Sequence, residues 1–130
     1  MIGIIIVAHG GLAKEYLSAM EYVIGPNPGI TAITILPDDD IGNKEKQISQ
    51  AMTEVNDGDG VVVVTDMHGG TPANLALRAC KGQKVMILFG ANLPLLLKLV
   101  KVRNLSFELA VNLAIDSGKK YIDCVKPASS

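Results

Sequence analysis

Apolar and polar positions fall into blocks along the chain, and the period changes from block to block. Met1 to Ala8 and Val61 to Asp66 are dominated by β-branched residues. Each run is long enough for a fully buried strand and too short for a core helix. Ile30 to Leu36 alternates isoleucine with threonine or alanine, and Val85 to Phe89 is a short apolar run; both predict strands. Between these runs the spacing widens to three and four residues. Leu12, Tyr16, Ala19, Met20, Val23 and Ile24 predict the apolar face of a helix over 12–24. Ile41, Ile48, Ala51, Met52 and Val55 do the same over 41–55. Further helices are expected from Thr71 to about Cys80, from Asn92-Leu93-Pro94 to about Val102, and from Ser106 to Ser117, the last stopped by Gly118. Thr71 suits a helix cap and Pro72 the first helical position, where its missing N–H does no harm. Gly25-Pro26-Asn27-Pro28-Gly29, Pro37-Asp38-Asp39-Asp40 and Asn56-Asp57-Gly58-Asp59-Gly60 are the breaks between blocks. Lys120 to Val125 reads as a short last strand and Lys126 to Ser130 as a tail.

Strands that alternate with helices predict an α/β fold with an open parallel sheet and helices on both faces. With the second strand on one side of the first and the third on the other, the order is 2-1-3-4. Ligands of such sheets bind outside the carboxyl ends of the strands where the order reverses, here between strands one and three. Both strands end in the same tripeptide, His9-Gly10-Gly11 and His68-Gly69-Gly70. The two stretches are therefore expected at one crevice.

At 130 residues the chain is expected to be a single domain spanning 1–130. A formal net charge of −1 and the absence of Trp give no basic or stacking surface for nucleic acid. The early apolar run stops at His9, so no signal peptide is expected. Gly90, Asn92, Pro94, Lys98 and Lys101 interrupt the later one too often for a membrane span. Cys80 and Cys124 lack metal-type spacing and read as ordinary thiols, which fits a cytoplasmic protein.

The candidate chemistry lies in the twin tripeptides. A carboxylate such as Asp66 accepting a hydrogen bond from one imidazole nitrogen of His9 would fix the tautomer and leave a lone pair on the other. The alternative for each is plainer: a hydrogen-bonded turn histidine and a turn aspartate. Gly69, Gly70 and Thr71 lead into a helix and can offer backbone N–H groups to an anion. The same residues also make a simple tight turn. There is neither GxxxxGK[ST] nor GxGxxG, so no nucleotide cofactor is expected. His68 is read three ways: as an accessory phosphate ligand, as a partner contact, or as a rim residue. His9, Asp66 and His68 would also be the minimum for a hydrolytic metal site, but the preferred reading assigns no metal.

The stretches Ala8-His9-Gly10, Thr65-Asp66-Met67-His68-Gly69-Gly70-Thr71-Pro72-Ala73-Asn74 and Gly90-Ala91-Asn92-Leu93-Pro94 resemble the IIA component of the mannose-type sugar phosphotransferase system, in its mannose, fructose or sorbose branches. The resemblance runs along essentially the whole chain. It implies a cytoplasmic phosphocarrier in which His9 takes a phosphoryl group on Nε2 from a histidine-containing phosphocarrier protein and passes it to a IIB component. Asp66 would hydrogen-bond His9, and Gly69, Gly70 and Thr71 would hold the phosphate. It further implies a homodimer in which the last strand, Lys120 to Val125, exchanges between subunits. Contact with the membrane would be indirect, through the sugar permease. The chain ends soon after that strand, so the IIB acceptor is expected to be a separate protein. His68 departs from the family, some members of which carry an aromatic ring at its position. The phosphotransfer subunit of a dihydroxyacetone kinase, a metal-dependent hydrolase and a non-catalytic binding module are the competing readings.

Overall fold

The structure is a computed structural model and describes residues 1–82 and 84–128. Four strands and five helices follow in the order β1 (Gly3–His9), α1 (Leu12–Ile24), β2 (Ile30–Ile35), α2 (Ile41–Val55), β3 (Val61–Thr65), α3 (Thr71–Ala79), β4 (Val85–Leu88), α4 (Leu93–Val102) and α5 (Phe107–Lys120). All strand pairs are parallel and the sheet order is β2-β1-β3-β4, the order expected with the second and third strands on opposite sides of the first.

Side chains alternate across a strand, so a run apolar at every position must be covered on both faces. β1 and β3 meet that condition. Ile4, Ile6, Ala8, Val62 and Val64 pack with Ala13 and Met20 of α1 and with the apolar sides of α4 and α5. Ile5, Val7, Val61 and Val63 pack on the other face with Ile48, Ala51, Met52 and Val55 of α2 and with Leu75 and Ala76 of α3. The register sets His9 against Ile35 and Val7 against Thr65, so β1 and β3 end side by side.

Three sequence expectations are corrected. In α1 the core face is Ala13 and Met20 with half-buried Tyr16, while Leu12, Val23 and Ile24 stay exposed. Val23 and Ile24 line an open cleft with Leu93 and Leu97 of α4 and with Tyr121 instead. Gly118 does not stop α5, which continues to Lys120. It is buried within the helix where α4 comes close: a Cβ there would lie 3.0 Å from Cβ of Leu95 and 3.2 Å from Oδ1 of Asn92. Its glycine serves close packing, with the Asn92 amide donating to its carbonyl at 3.0 Å. The last strand expected over Lys120 to Val125 starts too early, and the pairing expected of it is with a partner subunit. Lys120 closes α5, and residues 122–128 pair with no strand of the sheet. Of the expected tail, residues 129–130 lie outside the described residues. Among the described residues no helix is long and apolar enough to cross a membrane.

Arg103, directly after α4, is 3% exposed. It donates from Nε to the carbonyl of Ile2 at 2.9 Å, and from its two terminal nitrogens to those of Pro28 at 2.7 Å and Gly29 at 3.0 Å. Its own carbonyl accepts from the N–H of Ile2. One side chain thus pins the starts of β1 and β2. Arg103→Met would keep much of the volume and take the charged donor from the carbonyls of Ile2 and Pro28, while that of Gly29 keeps the N–H of Ile4. Urea unfolding should show a loss of about 3 kcal/mol; a loss below about 1 kcal/mol would remove Arg103 from this role.

Candidate functional site

His9 is the last residue of β1, and Asp66 is the first residue beyond β3. The neighbouring strands bring them together. Nδ1 of His9 lies 2.7 Å from Oδ2 of Asp66, and the backbone N–H of His9 donates to the same oxygen at 3.1 Å. The other carboxylate oxygen accepts from the N–H of Met67 at 3.0 Å. An ionised carboxylate only accepts, so the ring proton sits on Nδ1 and Nε2 keeps its lone pair. The His9 side chain is 49% exposed and that of Asp66 is 12% exposed, so the imidazole is open to a partner while its orienting group is sheltered.

Burial alone pushes the Asp66 carboxyl up. The hydrogen bonds from the ring and backbone of His9, with the attraction of the imidazole, outweigh it and hold the group below the usual carboxylate value. The phenol of Tyr16, half-buried on α1, is pushed up first by burial and then by the charge of Asp66.

Gly69 and Gly70 are required for different reasons. Gly69 has φ +86°, in the left-handed region. Gly70 has ordinary extended backbone, but a Cβ there would lie 2.8 Å from Cε1 of His9 and 3.2 Å from Nε2. The free nitrogen of His9 therefore faces the turn that opens α3. The expected cap is corrected here. Gly70, not Thr71, is the N-cap, Thr71 and Pro72 are the first helical residues, and no side chain caps the helix. Thr71 is exposed at that helix start, where backbone N–H groups lack helical partners. The structure thus gathers His9, Asp66 and Gly70 and sets Thr71 on the same turn.

His68 goes elsewhere. Its ring lies on Phe89, with centroids 4.4 Å apart and the planes tilted by 38°. Among the described residues no three His, Cys, Asp or Glu side chains gather as metal ligands. Cys80 lies in the core near Met52, and burial pushes its thiol up to about 11, which leaves it protonated. Sequence reasoning missed two features, the steric demand at Gly70 and the tie from Tyr16 to the carbonyl of Ala91 at 3.0 Å. Tyr16 reads only as an apolar helix position. The one hint was a hydroxyl on an otherwise aliphatic stripe.

Fold and site together define an open α/β domain with a carboxylate-steered histidine where its strand order reverses. The family described as the PTS system fructose IIA component matches residues 3–113, and the chain belongs to it. The mannose-specific EIIAB component of the PTS system of Escherichia coli K12 is 25% identical over 128 residues, covering 96% of this chain and 40% of that protein. The chain thus spans about two fifths of that relative's length. The fructose-specific EIIA component of Bacillus subtilis 168 is 26% identical over 104 residues, 79% of this chain and 71% of that one. The crystal structure of phosphotransferase system component EIIA from Streptococcus agalactiae superposes with a TM-score of 0.86 at 27% identity, over 95% of this chain and 97% of its own.

Because Asp66 ionises at lower pH when folded than when unfolded, its contribution to stability is complete above the unfolded value of about 4 and is lost as the pH falls through the folded value. Asp66→Asn keeps an acceptor but removes the charge. Urea unfolding should show the variant less stable by about 1 kcal/mol at pH 7, a figure discounted for the partly open edge. The gap should close below about pH 4. A gap unchanged down to pH 3 would contradict this reading.

Proposed function

We propose that the chain is a single phosphocarrier domain that takes a phosphoryl group on His9 and hands it on. The observation that carries this reading is the 2.7 Å bond between Nδ1 of His9 and Asp66, with Nε2 left free toward Gly70. The Nε2 lone pair attacks phosphorus, and the bond from phosphorus to the donor's imidazole nitrogen breaks with its electron pair left on the donor ring. Positive charge gathers on the His9 ring, and Asp66 offsets it through the Nδ1–H bond, a charge-assisted bond worth roughly 1.5–3 kcal/mol. The N–H groups at the start of α3 face the added oxygens, with Gly69, Gly70 and Thr71 shaping the turn. Transfer of this kind needs positioning and charge stabilisation more than covalent machinery. A carrier must also keep its phosphoryl group from water, and the scarcity of other acids and bases beside His9 suits that need.

The donor in this reading is a histidine-containing phosphocarrier protein, the acceptor is a IIB component, and the setting is the cytoplasm. The names of the relatives point to a sugar system, which favours a IIB acceptor over a dihydroxyacetone kinase. Exposed Leu12, three residues after His9, and Met67, next to Asp66, would meet these partners. The reading also makes the protein a homodimer. Its support is the open edge of β4 and the exposure of Ile122 and Val125 on the segment after α5.

Incubation with the phosphorylated carrier protein should give an acid-labile, base-stable phosphate. His9→Ala should take up none, and His68→Ala should take up label at close to the wild-type rate. Gly70→Ala should slow uptake at least about tenfold, because its methyl group crowds the ring. Wild-type uptake by His9→Ala would refute the carrier reading.

A further inference from the structure

The segment Phe89-Gly90-Ala91-Asn92, between β4 and α4, carries a motif that the proposed chemistry does not use. Its residues are nonetheless bonded to the elements that hold His9 and Asp66. The N–H of Ala91 donates to the carbonyl of Thr65 at 3.0 Å, and Thr65 immediately precedes Asp66. The carbonyl of Ala91 accepts from the Tyr16 hydroxyl at 3.0 Å. Tyr16 lies on α1, which begins three residues after His9. Asn92 caps α4 through the N–H of Leu95 and donates to the carbonyl of Gly118, which fixes the far end of the segment.

We propose that Tyr16 is a positioning residue for the His9–Asp66 pair, acting through Ala91. The path runs from the Tyr16 hydroxyl to the Ala91 carbonyl, and from the Ala91 N–H to the carbonyl of Thr65. It joins the helix that follows His9 to the strand that delivers Asp66, and it bypasses the sheet bonds between β1 and β3. It adds a second, independent constraint on the separation of imidazole and carboxylate. A small error in that separation weakens the bond that fixes the His9 tautomer, and misplacement is costly to group transfer. The hydroxyl suits this duty because burial and the nearby charge of Asp66 both keep the phenol neutral, so it remains a donor. Phenylalanine at this position would keep the ring packing and lose only the bond.

The kinetic part of this inference rests on the carrier reading; the structural part does not. The test compares wild type with Tyr16→Phe, and with Tyr22→Phe as control. Tyr22 is on the same helix and 92% exposed. In protein carrying 15N-histidine, the Nδ1–H proton of His9 should shift in Tyr16→Phe and exchange with water about threefold to tenfold faster. Phosphoryl uptake at saturating phosphorylated carrier protein should fall by a similar factor, with KM for the donor unchanged. Tyr22→Phe should match wild type in both. An unmoved His9 signal in Tyr16→Phe overturns the proposal, and so does unchanged uptake with a moved signal. If wild-type protein accepts no phosphate, the carrier reading fails and the spectroscopic comparison alone decides the role of Tyr16. If Tyr16→Phe does not fold, Tyr16→Leu is read by the same two outcomes.

Discussion

A single carboxylate oxygen, Oδ2 of Asp66, receives both the ring and the backbone N–H of His9. Everything the site can do follows from that double contact. The backbone bond fixes where β1 ends relative to β3, and the ring bond fixes which imidazole nitrogen is free. Two opposing effects act on the carboxylate. Shelter from water disfavours its charge, while the two donors and the imidazole favour it. The favourable side prevails, since the group ionises more readily than an ordinary aspartate. A neutral acid at this position would release the tautomer, and Nε2 would no longer be the sole nucleophilic nitrogen.

The fold keeps that contact in place by holding both strands from above and below. β1 and β3 are covered on both faces, so neither can slide without exposing isoleucines and valines. Arg103 anchors the opposite end of β1 through carbonyls of Ile2, Pro28 and Gly29. At the site end, positive-φ glycines turn the chain sharply: Gly10 follows His9, and Gly69 lies three residues beyond Asp66. The imidazole is then left half in solvent, at an edge where apolar Leu12 and Met67 are also exposed. A rigid frame behind an open ring suits the proposed carrier, whose histidine would meet one protein and then another.

The strand order and the meeting of His9 with Asp66 were legible in the sequence because few alternatives remained. Runs of β-branched residues with no polar face must be central and parallel, and the strand reversal has only one place to fall. Boundaries were less legible. Gly118 carries the signature of a helix stop, yet it is a packing contact, and only the approach of Leu95 and Asn92 distinguishes the two. Thr71 looked like a cap because threonine usually is one, whereas Gly70 took that position. The steric demand at Gly70 comes from His9, a residue 61 positions earlier in the chain. No local pattern can show it. Tyr16 was hidden for the same reason, since a tyrosine on an apolar stripe looks like core until the acceptor of its hydroxyl is found. The segment after α5 has strand-like composition, but a strand exists only with a neighbour to pair with, and among the described residues it pairs with none of the four strands.

The central claim is that Asp66 holds the proton on Nδ1 and leaves Nε2 to react. The most direct measurement is nitrogen and phosphorus NMR of the phosphorylated protein with 15N-labelled histidine. The account predicts phosphorus coupled to Nε2 of His9, with Nδ1 still protonated. Phosphorus on Nδ1 of His9, or on His68, would contradict it.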